Sequence, residues 1–317
     1  MGEESVKTQT SESLEQAERL PLTARDEPAK EGRSLVFLGA GRAALAVFGR
    51  LKQTDTLRIN KFYATTRSAE RALHLQGLGI EPIICSAFSE LSVSASLRSR
   101  LQAACRQSYV LVSFPPDGIS DKLYRDLLQE IPLAGLIYIS STGVYGKQQG
   151  IIDEHTEVDK AEESARPRLE AEEIWRSLDA LTLRAPGLYD FEYGLHLRLL
   201  SGQYRLPGDG KNYVSRIHLK DLAKIIEAGF LRGRAGSTYV VGDLKPETHL
   251  NLVSYLCEKL GLSMPDSVPL GSVHHTLRGN RQVNGRKVLE DLKVSLDFPT
   301  YIEGYRDCLN RYTGSSS

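Results

Sequence analysis

From Ser34 onward, short apolar runs alternate with amphipathic stretches, and few folds accept that pattern. Leu35-Val36-Phe37-Leu38 runs into Gly39-Ala40-Gly41, after which Ala44, Val47, Phe48 and Leu51 fall at helical i, i+3, i+4, i+7 spacing. Further strands are predicted over 62–65, 80–85, 109–112, 136–139 and 181–183. A helix with Leu123, Leu127, Leu128 and Ile131 on one stripe separates the fourth strand from the fifth. Another, with Ala171, Ile174, Trp175 and Leu178 aligned, separates the fifth from the sixth. Each helix returns the chain to the edge where the next strand begins, so the strands pair in parallel. The predicted fold class is α/β, a Rossmann-type doubly wound parallel sheet covered on both faces. Residues 34–185 form the first domain on this reading, the one that carries the dinucleotide motif described next. Past residue 185 the pattern loosens. Leu222, Ile225 and Ile226 mark one helix, Tyr239-Val240-Val241 a strand and 252–260 another helix, predicting a smaller C-terminal substrate lobe over 186–312 interleaved with the sheet.

Ligands of such sheets bind beyond the carboxyl ends of the strands, and the residues there carry the chemistry. Gly39-x-Gly41-x-x-Ala44 sits between the first strand and the first helix. Gly39 allows a tight turn, and Ala40 and Gly41 let backbone approach a pyrophosphate. Ala44 stands where only helix–strand contact is needed, and Arg42 opens the helix whose free N–H groups face the anion. The second strand ends Thr65-Thr66-Arg67-Ser68, with no carboxylate to receive a ribose 2′-hydroxyl. Arg67, with Thr66 and Ser68, offers a guanidinium fork and two hydroxyls to a 2′-phosphate, so NADP is expected over NAD.

Ser113-Phe114-Pro115-Pro116-Asp117 follows the fourth strand, and Ser140-Ser141-Thr142-Gly143-Val144-Tyr145-Gly146 closes the fifth. Leu183-Arg184-Ala185-Pro186-Gly187-Leu188-Tyr189 and Arg216-Ile217-His218-Leu219-Lys220-Asp221-Leu222-Ala223 come later. With the glycine turn, these segments resemble the extended short-chain dehydrogenase/reductases, the NAD-dependent epimerase/dehydratase superfamily, over about residues 34–305. The resemblance implies that Ser141 is the serine that hydrogen-bonds the substrate oxygen, with Thr142 beside it. It places Ser113, Phe114, Pro115, Ser140 and Pro186 on the coenzyme side.

One departure is large. The family's tyrosine, with a lysine four residues on, performs acid–base work because the cation lowers the phenol's pKa. Alignment on Glu172 puts Arg168 at the lysine position and Ser164 at the tyrosine position, and no tyrosine stands between Tyr145 and Tyr189. Tyr255-Leu256-Cys257-Glu258-Lys259 has the spacing but lies on a helix whose apolar face is Leu252, Val253, Leu256 and Leu260, and reads as chance. Arg168 shares a stripe with Ala171 and Trp175, so it should face the sheet and clamp ribose or substrate, although it cannot titrate. The candidate catalytic set is Ser141, Thr142 and Arg168. His218 and Asp221 read as a helix start, Tyr145 and Tyr189 as packing, and His274-His275 as a solvated pair.

Composition removes other classes. Lys+Arg and Asp+Glu stand at 40 each, with no basic stripe, which argues against nucleic-acid binding. No apolar run spans a bilayer, so no membrane association is expected. Four scattered cysteines without CxxC, and no HExxH, suggest no metal site. Residues 1–33 hold eight acids and five bases with few apolar side chains, and predict a disordered acidic tail lacking the apolar stretch of a signal peptide. A cytoplasmic protein with a second frayed tail at 313–317 is expected. Two functions fit. One is an oxidoreductase or epimerase-like enzyme that uses NADP, NAD being less favoured, on a small polar or nucleotide-sugar-like substrate. The other is a non-catalytic NADP-binding sensor or scaffold. A homodimer is the assembly the resemblance allows.

Overall fold

A computed structural model describes residues 32–85 and 94–313. The expected tails lie outside these residues, apart from Gly32, Arg33 and Thr313. In chain order come β1 (Arg33–Leu38), α1 (Arg42–Thr54), β2 (Ile59–Thr66), α2 (Ala69–Gly77), β3 (Glu81–Ile84) and α3 (Ala95–Cys105). Then follow β4 (Tyr109–Val112), α4 (Ser120–Leu128), β5 (Gly135–Ser141), β6 (Gln149–Ile152), α5 (Arg166–Arg176), β7 (Leu181–Ala185) and β8 (Gly187–Tyr189).

Seven strands form one sheet in the order Thr238–Val240, β7, β5, β4, β1, β2, β3, every neighbouring pair parallel. The chain runs outward from β1 to β3 and then crosses back to β4 on the other side of β1. That reversal opens a crevice at the carboxyl ends of β1 and β4, beside the glycine turn. This is the α/β doubly wound sheet expected from the alternation.

The pleat sends β1 side chains to both faces. Leu35 and Phe37 pack with Ala44, Val47 and Leu51 of α1, whereas Val36 and Leu38 pack with Leu101, Tyr124, Leu127 and Trp175 of α3, α4 and α5. Helices α4 and α5 end at Leu128 and Arg176, so Ile131 and Leu178 lie past them while still packing on the core.

The chain beyond residue 185 divides between two places. The helix Leu219–Arg232 returns to pack on α1, and Thr238–Val240 adds the outer strand beside β7. Buried Glu227 of that helix binds Arg50, Thr54 and Thr56 at the end of α1. The helices Leu195–Leu200, His249–Leu260 and Tyr301–Thr313 build a separate core around Tyr189, Tyr204, Leu256 and Tyr305. Among the described residues, no helix is long and apolar enough to cross a membrane.

Candidate functional site

The glycine turn is pinned from both sides. Gly39 N–H donates to Thr65 Oγ1 at 2.9 Å, and Ser113 Oγ donates to the Gly39 carbonyl at 2.7 Å. Gly39 sits at φ +90°, and a Cβ there would stand 3.0 Å from the Phe114 backbone nitrogen and Cβ. Only glycine suits that combination. Gly41 differs: it is extended, and a Cβ on it would meet nothing within 4 Å. No side chain caps α1, so its first N–H groups are left to an incoming acceptor. An open cradle above an uncapped helix start is what a pyrophosphate requires, and the residues present fit a dinucleotide.

The neighbouring cations are unequal. Arg67 is exposed at the end of β2, with half-buried Thr66 before it and Ser68 capping α2. Arg71, one turn into α2, donates from Nη2 to the Ala40 carbonyl at 3.0 Å, bringing a second guanidinium to the turn. The sequence reading passed over it because its helix is short and its stripe is not apolar. Arg42 leans the other way, 3.7 Å from Glu192 and 5.1 Å from the Tyr193 ring centre. Pro115 is exposed, and half-buried Phe114 lies against Tyr124 and Trp175.

A cleft of about 630 Å³ opens between the sheet and the second lobe. From the sheet side it is lined by Ser141, Thr142, Ser164, Arg168 and Pro186. Ser141 Oγ accepts from Gly143 N–H at 3.1 Å, which leaves its own proton free to donate. Thr142 is buried in the following turn. Arg168 reaches the end of β5, where Nη1 donates to Tyr138 OH at 3.0 Å. Ser164, at the position aligned with the family's tyrosine, hydrogen-bonds Glu162 at 3.1 Å.

The second lobe contributes Arg198, Arg216 and Arg281, so four arginines and no carboxylate line the cleft among the described residues. Arg198 lies 5.4 Å from the Tyr204 ring centre, and Tyr204 is fixed by a 2.8 Å hydrogen bond to buried His249. Arg281 donates to the Gly146 carbonyl, and burial pulls its pKa down. Arg216 Nε is buried and donates to no atom among the described residues. Sequence reading missed these arginines. Arg216 lies in a quoted motif, but Arg198 and Arg281 stand where no periodic pattern points. His275, read as solvated, does line the cleft and is exposed.

Beneath the cleft runs a buried polar chain. Ser140 Oγ donates to Glu172 Oε1 at 2.5 Å, and Arg184 donates to the same carboxylate at 3.0 and 2.7 Å. Arg184 also reaches Tyr145 OH at 3.1 Å. The Ser140 hydroxyl therefore points inward to this chain rather than toward a coenzyme, because Glu172 needs donors where water is excluded. Tyr255 and Lys259 are not at the cleft: Tyr255 OH donates to the Ile302 carbonyl and Lys259 pairs with Glu258. His218 caps its helix by accepting from Lys220 N–H, and Asp221 accepts from the backbone of Asp297 and Phe298.

Behind Arg216 lies Asp243, 2% exposed. Burial pushes its carboxyl up to about 8, against the opposing pull of the Lys245 N–H and Arg216. The folded value exceeds the unfolded one, so the unfolded chain loses its proton first. Stability must then fall as pH rises from about 4 to about 8. An Asp243→Asn protein, neutral throughout, is expected to gain on the wild type over that window by on the order of 5 kcal/mol, read by urea unfolding at both ends of it. A parallel pH dependence in the two proteins would refute the assignment.

No family model matches the chain, and no curated protein matches it by sequence. Solved structures do match in fold. A functionally unknown conserved protein from Silicibacter pomeroyi superposes with a TM-score of 0.72 at 23% identity, covering 88% of this chain and 99% of its own. The dTDP-glucose 4,6-dehydratase of Bacillus anthracis, solved with NAD, gives a TM-score of 0.71 at 18% identity, covering 89% and 97%. The UDP-glucuronic acid 4-epimerase of Bacillus cereus, also with NAD, gives 0.68 at 15%, covering 88% and 100%. At these identities the likeness establishes the fold, which is shared with NAD-bound epimerases and dehydratases of nucleotide sugars.

Proposed function

We propose that the protein is an NAD(P)-dependent oxidoreductase or epimerase-like enzyme acting on an anionic, nucleotide-sugar-like substrate. One observation carries this reading: an open dinucleotide cradle and a cleft lined by four arginines and no carboxylate both lie at the carboxyl ends of strands of one sheet. An arginine fork suits phosphate, and several forks without a competing carboxylate suit a diphosphate. The structural relatives solved with NAD act on dTDP-glucose and UDP-glucuronic acid, which fits that charge pattern.

Gly39, Ala40, Gly41 and the start of α1 would hold the coenzyme, which when bound supplies hydride transfer. Ser141 donates a hydrogen bond to a substrate oxygen, and Arg168 offsets negative charge that develops there. Burial pushes the Tyr204 phenol up to about 12, whereas burial and neighbouring His274 pull the His275 imidazole down, which makes exposed His275 the proton carrier this reading proposes.

Thr66 and Arg67, with Arg71 behind them, favour a 2′-phosphate, and NADP over NAD belongs to this proposal. Titration with NADPH and NADH, followed by dTDP-glucose and UDP-glucuronic acid, tests it. Arg67→Ala is expected to lower the NADPH-to-NADH affinity ratio about tenfold, equivalent to about 1.4 kcal/mol. An unchanged ratio would leave the selectivity unsupported. The sensor reading has one observation in its favour: Ser164 and Arg168 occupy the cleft where the resemblance calls for tyrosine and lysine. Tight coenzyme binding without turnover of either sugar nucleotide would favour it.

A further inference from the structure

Arg168 is held by the sheet rather than by its own helix. Its Nη1 donates to Tyr138 OH at 3.0 Å and reaches the Ile139 carbonyl at 3.4 Å, with the guanidinium carbon 6.0 Å from the Tyr138 ring centre. Among the described residues it forms no ion pair, and its Nε and Nη2 make no hydrogen bond. Tyr138 cannot follow a moving partner. It is fully buried in β5, its ring lies on Trp175 at 6.1 Å and 30°, and Trp175 Nε1 is tied to Asp121 Oδ1 at 2.8 Å. Burial keeps its phenol above the ordinary tyrosine range, so the hydroxyl stays neutral and available to the guanidinium.

The same wall touches the coenzyme turn. Phe114 packs edge-on against Trp175 at 6.4 Å, and its backbone is the surface that Gly39 approaches. The wall that anchors the guanidinium is thus continuous with the wall behind the glycine turn. Of five N–H donors on an arginine, the floor of β5 occupies one nitrogen and leaves the remainder of the fork in a fixed orientation.

We propose that Tyr138 is a positioning residue: its hydroxyl fixes the Arg168 guanidinium so that the unused N–H groups meet the bound coenzyme. This rests on the nicotinamide-enzyme reading above. A lysine ammonium could bond the same phenol, but its rotatable N–H groups would leave no planar fork in a fixed orientation. Half-buried Arg168 can turn to water once the anchor is gone, so the loss is one of orientation rather than of stability.

The test is a double-mutant cycle on coenzyme affinity, with NADH and NADPH fluorescence titrations of the full chain. Tyr138→Phe is expected to weaken both coenzymes about fivefold with the melting temperature little changed, and Arg168→Gln to weaken them about tenfold. The double variant should bind like Arg168→Gln alone, a non-additivity that a purely structural tyrosine would not give. Additive losses, a silent Tyr138→Phe or a silent Arg168→Gln each overturn the inference. A wild-type protein that takes up neither coenzyme overturns the functional reading and this inference together, whereas uptake without coupling overturns the inference alone.

Discussion

A Gly41→Val protein is expected to melt like the wild type and to have lost about a hundredfold in coenzyme affinity, equivalent to about 2.7 kcal/mol. The two halves of that outcome have separate causes. A Cβ at Gly41 meets no protein atom within 4 Å and the backbone there is extended, so the fold has nothing to resist. The added methyls would fill the cradle above the start of α1, where a pyrophosphate must approach backbone N–H groups. Gly39 is the internal control. There φ is +90° and Phe114 stands 3.0 Å from a Cβ, so Gly39→Ala should lower stability as well as binding, by about 1–3 kcal/mol of strain. Thermal melts beside NADPH titrations separate the two. Unimpaired binding by Gly41→Val would remove the coenzyme from this site.

The other large effect lies below the cleft. Glu172 is 1% exposed and takes donors from Ser140 and Arg184. Glu172→Gln leaves the Arg184 cation buried with its counter-charge gone, and is expected to cost about 3–5 kcal/mol, or roughly 10 °C in melting temperature. The double replacement Glu172→Met, Arg184→Met should be milder than either single one, since an apolar pair leaves no charge stranded. Urea unfolding of the wild type, Glu172→Met, Arg184→Met and the double variant decides it. A double variant as unstable as the sum of the singles would mean that the pair does more than neutralise itself.

The sheet was legible because local and global preferences agree along it. The strand residues Leu35 to Leu38 are apolar on both faces, and Ala44, Val47 and Leu51 repeat at helical spacing, so propensity and burial point the same way. The second lobe resisted reading for a physical reason. Its two-residue strands, such as Leu206–Pro207 and Tyr213–Val214, carry no measurable alternation, and their places are fixed by contacts distant in sequence. The cleft arginines followed suit: Arg198, Arg216 and Arg281 converge only after the lobe folds back. Ser140 shows the opposite limit, since a motif marks its position without revealing that its hydroxyl turns inward to Glu172. For Arg168 a helical stripe was enough to indicate the side, but not the phenol that receives it.

The clasp between Glu227 and the end of α1 joins residues up to 177 positions apart. A ribosome adding roughly 5–20 residues per second makes the first crossover helix wait about ten to thirty seconds for its buried neighbour. Until then Ala43, Val47 and Leu51 have only one wall, and the nascent amino-terminal half presents a greasy flank to its surroundings. Biogenesis of this chain thus depends on its late segments, and chaperone holding during elongation should matter more than for a domain completed in sequence order.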